Sequence, residues 1–330
     1  MRILLVGAGL VGARVGRHLI SAAEGDDLAL DRLLVADRRA KRRDAVARSL
    51  GARAEAVADP KVRRADLVVL ASPAATHPHL ARRAVRAGRH VVSVADGVAP
   101  VEAMLDLDAE AYERGVVVAV GAGFAPGLSC VLARHAASAF DTVDEVHVAH
   151  HGTGGPACAR QHHSALRGIG LDWRDHAWRR RPPRSGRELS FFPDPIGGAD
   201  CYRAALPDAL LLVPEIPGVS KVTARMAATR RDRLTVGLPM LRPPHPEGLI
   251  GGLRVEVRGR RGQVRDTLVY GSVDRPALAA GTVAAVTARW ILAGRTTRPG
   301  AAGLAGLVDP VPFLHELARV GVTGAVFDGG

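Results

Sequence analysis

Six residues near the start constrain this chain more than any others. Gly7-Ala8-Gly9-Leu10-Val11-Gly12 follows the apolar run Ile3-Leu4-Leu5-Val6 and opens a segment in which Val11, Val15 and Leu19 recur at helical spacing. A short continuous apolar run suits a strand buried on both faces, and the spacing after it suits an amphipathic helix. A glycine turn joining the two lets main chain approach a pyrophosphate at the positive end of a helix. Gly7 permits the tight turn, Gly9 the approach, and Gly12 close packing of helix on strand. Leu10 and Val11 belong to the first helical turn, so Gly7, Gly9, Leu10, Val11 and Gly12 are the candidate phosphate cradle.

The strand–helix rhythm then continues. Further strands are expected at 33–36, 54–58, 67–70, 90–94 and 116–120, with helices at about 40–50, 78–87 and 101–114 between them. Such alternation specifies an α/β fold, a doubly wound parallel sheet of the Rossmann kind, over residues 1–125. After Gly121 the rhythm changes. A helix is expected from Pro126, then strands near 143–151, 209–213, 219–228, 252–258 and 264–271. Few helices separate them, which implies a second α+β domain over 126–294 with a largely antiparallel or mixed sheet. An Ala-rich helix at 277–293 and a short one at 311–320 close the chain, and 295–330 can pack back on the first domain.

With 47% hydrophobic residues in 330, the chain can bury two cores, and no apolar run is long enough to span a bilayer. A soluble, cytoplasmic protein is expected, with no membrane partner. The formal charge of +12 suggests nucleic acid, but the basic residues are dispersed and nearly all arginine, and aromatics are only 4%, too few for base stacking. No nucleic-acid partner is expected. Arg179-Arg180-Arg181, beside two prolines, reads as a solvated loop. Cys130, Cys158 and Cys201 form no CxxC pair and read as idle thiols.

Asp37 closes the second expected strand, where a carboxylate accepts hydrogen bonds from ribose hydroxyls and repels a 2′-phosphate. That favours NAD over NADP, while Arg38 directly after it offers a partner for the phosphate. The fourth strand ends in Ser72-Pro73-Ala74-Ala75-Thr76-His77 and the fifth in Asp96, which places Ser72, Pro73 and Asp96 among the cofactor candidates.

The fingerprint Gly7–Gly12 and the segment Gly121-Ala122-Gly123-Phe124-Ala125-Pro126-Gly127-Leu128-Ser129 together resemble the saccharopine dehydrogenase-like family of NAD(P)-dependent oxidoreductases. Many members carry Asp where this chain has Ala125. The resemblance implies hydride transfer at a C–N bond of an amino acid or opine-like amine, a small anionic amino-acid-like substrate near Gly123, Pro126 and Gly127, and a homodimer built on the second sheet.

Two polar stretches in the second domain offer the remaining chemistry. Carboxylate binding suits arginine's planar fork, making Arg160, Arg203, Arg225 and Arg231 the substrate candidates. Proton relay near neutral pH suits histidine, with His151 and His77 the candidates. Along an alternating strand His147 and His151 share one face and His150 takes the other. No HExxH or carboxylate triad accompanies these histidines, so no metal is expected. Reduction of a carbonyl in a sugar or a hydroxy or oxo acid remains open on sequence, as does a non-catalytic dinucleotide-binding regulatory protein.

Overall fold

The computed structural model describes residues 1–238, 240 and 243–327. Its backbone divides into two compact units, one of Met1–Ala95, Ala99–Gly123 and Leu278–Asp309, the other of Asp96–Val98, Phe124–Ala277 and Pro310–Gly330.

The strands run β1 Arg2–Val6, β2 Arg32–Ala36, β3 Ala54–Val57, β4 Leu67–Leu70, β5 His90–Ser93 and β6 Val117–Ala119 in the first unit. They continue as β7 Thr142–His151, β8 Gly170–Arg174, β9 Ala177–Arg181, β10 Glu188–Phe192, β11 Gly197–Tyr202, β12 Lys221–Ala227, β13 Gly251–Arg261 and β14 Val264–Asp274 in the second. Two short strands follow, β15 Gly300–Ala302 and β16 Ala325–Phe327.

The first unit is a seven-stranded sheet ordered β15-β6-β5-β4-β1-β2-β3, and every pairing in it is parallel. The six strands expected from sequence are joined by β15, which lies beside β6. Ile3, Leu4, Leu5, Leu33, Leu67 and Leu70 are wholly buried, because helices cover both faces of such a sheet. The order reverses between β1 and β4, so the crevice beyond their carboxyl ends is where a ligand is held in open sheets of this kind.

The Ala-rich helix, Pro276–Leu292, runs almost wholly within the first unit, whereas the sequence boundary at 294 had put it in the second. Side-chain bonding accounts for the shift: Thr282 Oγ1 accepts from Arg14 Nε at 3.3 Å and lies 2.9 Å from His18 Nε2 on the first helix.

The second unit holds a nine-stranded mixed sheet with the path β10-β11-β12-β7-β13-β14-β16, and β8 and β9 branch from β12. Among the described residues only β12 and β7 run parallel in it; its other pairings are antiparallel. Two local expectations are corrected. The run at 209–213 is a short helix, Asp208–Leu212, and Arg179–Arg181 lies in β9, paired with β8 in a hairpin, instead of in a loop. No helix among the described residues is long and apolar enough to cross a membrane.

Candidate functional site

The glycine turn joins β1 to the helix Leu10–Glu24. Gly7 has φ +109°, and its N–H donates to Ala36 O at 2.8 Å. A Cβ at Gly7 would lie 2.5 Å from the Ala71 carbonyl and 2.6 Å from Ser72 N, so both the dihedral and the close approach of β4 demand glycine. A side chain at Gly12 would strike the Gly7 carbonyl oxygen. Gly9 is the opposite case: no heavy atom lies within 4 Å of where its Cβ would be. The protein leaves bare backbone there, at a helix N-terminus whose first N–H groups have no intrahelical partner. A pyrophosphate fits that cradle, with Leu10 and Val11 in the first turn beside it.

Asp37 follows β2 and is half-buried. One carboxylate oxygen accepts the Ala8 N–H at 2.8 Å and the other the Arg39 N–H at 2.8 Å. Asp37 thereby ties the second strand to the glycine turn. Two carboxylate oxygens carry about four lone-pair sites, so capacity for ribose hydroxyls remains. The side chains of Arg38 and Arg39 are exposed.

Beyond β4, Ser72 Oγ lies 2.9 Å from Thr76 Oγ1, and Thr76 Oγ1 donates to Pro73 O at 2.9 Å, which folds Ser72 and Pro73 into a tight turn. His77 is wholly buried beneath this turn. Its Nδ1 lies 2.8 Å from Ser93 Oγ and its Nε2 lies 2.9 Å from the Ser72 carbonyl, to which only an N–H can donate. Burial lowers its pKa to about 4, against the Ser72 bond that raises it. With both nitrogens occupied and no exposed surface, His77 clamps β4 to β5, and the expectation of a proton relay there gives way to a structural role.

Gly123, Pro126 and Gly127 are buried. Gly127 has φ +129° and its carbonyl accepts from Val131 N at 3.1 Å, so this segment seats the helix Leu128–Ala137. The next residue but one, Ser129, donates to Asp208 Oδ1 at 2.7 Å. Burial pushes Asp208 up to about 6. Sequence reading missed this carboxyl because it stands at the start of the apolar run taken for a strand.

In the second unit, Asp96 gathers with Cys158 and His162 of the helix Pro156–Ala165: one ligand atom from each lies within 4.8 Å of the others. Cys158 Sγ is 3.5 Å from His162 Nε2. His150, at the end of β7, meets His162 edge-on with ring centroids 5.0 Å apart. Its neighbour His151 is half-buried beside Phe192, and its Nδ1 has no hydrogen-bond partner. Burial holds His151 below its ordinary pKa. The available sequence signal for this cluster was the Cys-x-x-x-His spacing, which puts both side chains on one helical face.

The four candidate arginines are not brought together as one set. Arg203 Nε donates to the buried Asp172 at 2.8 Å. Arg225 is buried and bonds Glu188 at 3.0 Å, Thr223 Oγ1 at 3.0 Å and the Gly186 carbonyl at 3.1 Å. Arg160 and Arg231 are exposed on the helices Pro156–Ala165 and Arg230–Thr235.

Residues 1–122 match the family described as "Oxidoreductase family, NAD-binding Rossmann fold". No curated protein sequence matches the chain significantly. Among solved structures, the chain is similar over 99% of its length and 100% of the other to apo saccharopine dehydrogenase (L-Glu forming) from Saccharomyces cerevisiae, with TM-score 0.68 and 15% identity. A probable dehydrogenase from Thermotoga maritima gives TM-score 0.51 at 14% identity, covering 99% of this chain and 98% of that one. An engineered D-amino acid dehydrogenase bound to NADP+ gives 0.50 at 17%, covering 98% and 99%. At these identities the likeness is one of fold, and it extends over both units.

Proposed function

We propose, from the match of residues 1–122 to the family described as "Oxidoreductase family, NAD-binding Rossmann fold", that the chain is a dehydrogenase acting at the C–N bond of an amino acid or opine-like amine, with NAD preferred to NADP. The observation that carries the reading is the glycine turn, bare of protein only beside Gly9 and tied at Ala8 to the Asp37 carboxylate. Gly7, Gly9, Leu10, Val11 and Gly12 hold the pyrophosphate, Asp37 the adenosine ribose, and the Ser72-Pro73 turn the approach to the nicotinamide. When bound, that cofactor supplies or accepts the hydride.

The amine reading is supported by the resemblance of Gly121–Ser129 and by the dehydrogenases of amino-acid substrates that share the fold. His151 takes the proton-relay role: its free Nδ1 and its lowered pKa leave a neutral base at pH 7. Arg160 and Arg231 bind the substrate carboxylate, because Arg203 and Arg225 already hold Asp172 and Glu188. The chain works as a homodimer through its second sheet, where Leu189 and Phe191 point from the same face of edge strand β10 and are 57% and 60% exposed.

The test is a screen of amino acids with NAD and NADP, and of oxo acids with amines and the reduced cofactors, following nicotinamide absorbance. Turnover of at least one amine or oxo-acid–amine pair, lost in His151→Ala, is expected. Turnover confined to sugars or hydroxy acids would replace the amine reading with that of a carbonyl reductase.

A further inference from the structure

Cys158 and His162 are four residues apart on the helix Pro156–Ala165, which stacks their side chains one turn above the other. Sγ and Nε2 are 3.5 Å apart. Two ligands of one tetrahedral zinc ion, at ordinary zinc–sulfur and zinc–nitrogen lengths, stand about 3.6 Å apart. A thiol–imidazole hydrogen bond spans the same distance, so the pair alone is neutral between the two. Asp96 adds a third donor, and the three ligand atoms lie within 4.8 Å of one another.

A second, independent observation comes from β7. His150 is only 4% exposed, and its Nε2 has no hydrogen-bond partner. An imidazole nitrogen buried without a partner is costly, and this one belongs to the ring packed edge-on against His162. Charge points the same way. A thiolate and a carboxylate together carry two negative charges, which one divalent cation neutralises. Sulfur and imidazole donors select a zinc-class ion over magnesium or calcium, which take oxygen ligands.

We propose that Asp96, Cys158 and His162, flanked by His150, form a binding site for one zinc-class divalent cation. The proposal departs from the sequence expectation of no metal, and neither dinucleotide binding nor hydride transfer requires it. Three protein donors leave a fourth position for a solvent molecule.

Cobalt(II) reports the site directly. The full-length chain, reduced and stripped with chelator, is titrated with cobalt(II) while following the near-ultraviolet thiolate-to-cobalt charge-transfer band. A band that saturates at one equivalent and is displaced by zinc(II) is expected. It should vanish in Cys158→Ser and persist when Cys130 and Cys201 are both replaced by Ser. Asp96→Asn and His162→Gln, checked for folding by circular dichroism, should each weaken cobalt binding at least about tenfold. No saturable band in the wild type, or a band that survives Cys158→Ser, overturns the site. Unchanged affinity in folded Asp96→Asn and His162→Gln overturns the ligand set. NADH titration of Cys158→Ser should match the wild type, so failure of the cation site is separable from failure of the dehydrogenase reading.

Discussion

Gly7 and Gly9 are two residues apart and opposite in what they tolerate. A Cβ at Gly9 meets no protein atom within 4 Å, so Gly9→Val should fold normally yet weaken NADH binding at least about tenfold by filling the pyrophosphate cradle. Gly7→Ala meets backbone at 2.5 Å and a φ of +109°, and should lose roughly 2 kcal/mol or more of stability in denaturant titrations. Nucleotide binding retained in Gly9→Val would remove the cradle assignment. Asp37→Ser should cut the preference for NAD over NADP by roughly tenfold, ~1.4 kcal/mol, as a charge-assisted bond is lost and repulsion relieved. A wild-type preference for NADP would instead make Arg38 the governing residue. His77→Ala strands the Ser93 hydroxyl and the Ser72 carbonyl inside the fold, at a cost of about 2–4 kcal/mol. The pH–rate profile of that variant should keep its wild-type limbs. A limb that disappears would restore His77 as a proton carrier.

At the scale of the element, β7 shows what alternation in sequence can and cannot tell. Period two put His147 and His151 on one face and His150 on the other. The partners of each came only with the fold: His147 bonds Glu145 and Thr223, His150 meets His162, and His151 packs by Phe192. Burial pushes the Glu145 carboxyl up, but hydrogen bonds from His147 and Lys221 outweigh it and hold it at about 2. Burial lowers the His147 pKa, against the Glu145 hydrogen bond that raises it, and its Nε2 lies 2.8 Å from Glu145 Oε2. A carboxyl held below its unfolded value stabilises the fold above the ordinary carboxylate range, and that contribution fades as pH falls from about 4.5 towards 2. Glu145→Gln should therefore be less stable than wild type by ~1–2 kcal/mol at pH 7, with the gap closing in acid. A gap independent of pH would mean that the carboxylate's charge contributes nothing.

The parallel sheet was legible because buried runs such as Leu67–Leu70 can be little else between helical stretches. The run at 209–213 was not, since a short buried apolar segment has no period that separates helix from strand. Nor were β8 to β11, whose exposed Trp178, Leu189 and Phe191 and paired charges such as Asp172 with Arg203 hide the hydrophobic pattern. The glycine cradle was read from local chain alone. The Asp96–Cys158–His162 cluster joins residues 62 positions apart, which only the fold brings together.

At the scale of the whole molecule, two predictions remain. If the second sheet carries the dimer, replacing both Leu189 and Phe191 with Glu should convert the protein to a monomer by light scattering, with its circular dichroism unchanged. A wild-type monomer would contradict that. The central claim is that this chain turns a nicotinamide dinucleotide to hydride chemistry, and its most direct measurement is a fluorescence titration of the intact protein with NADH and with NADPH. Saturable binding of both, tighter for NADH, is the predicted result; no change in fluorescence with either nucleotide, in protein shown to be folded, would contradict it.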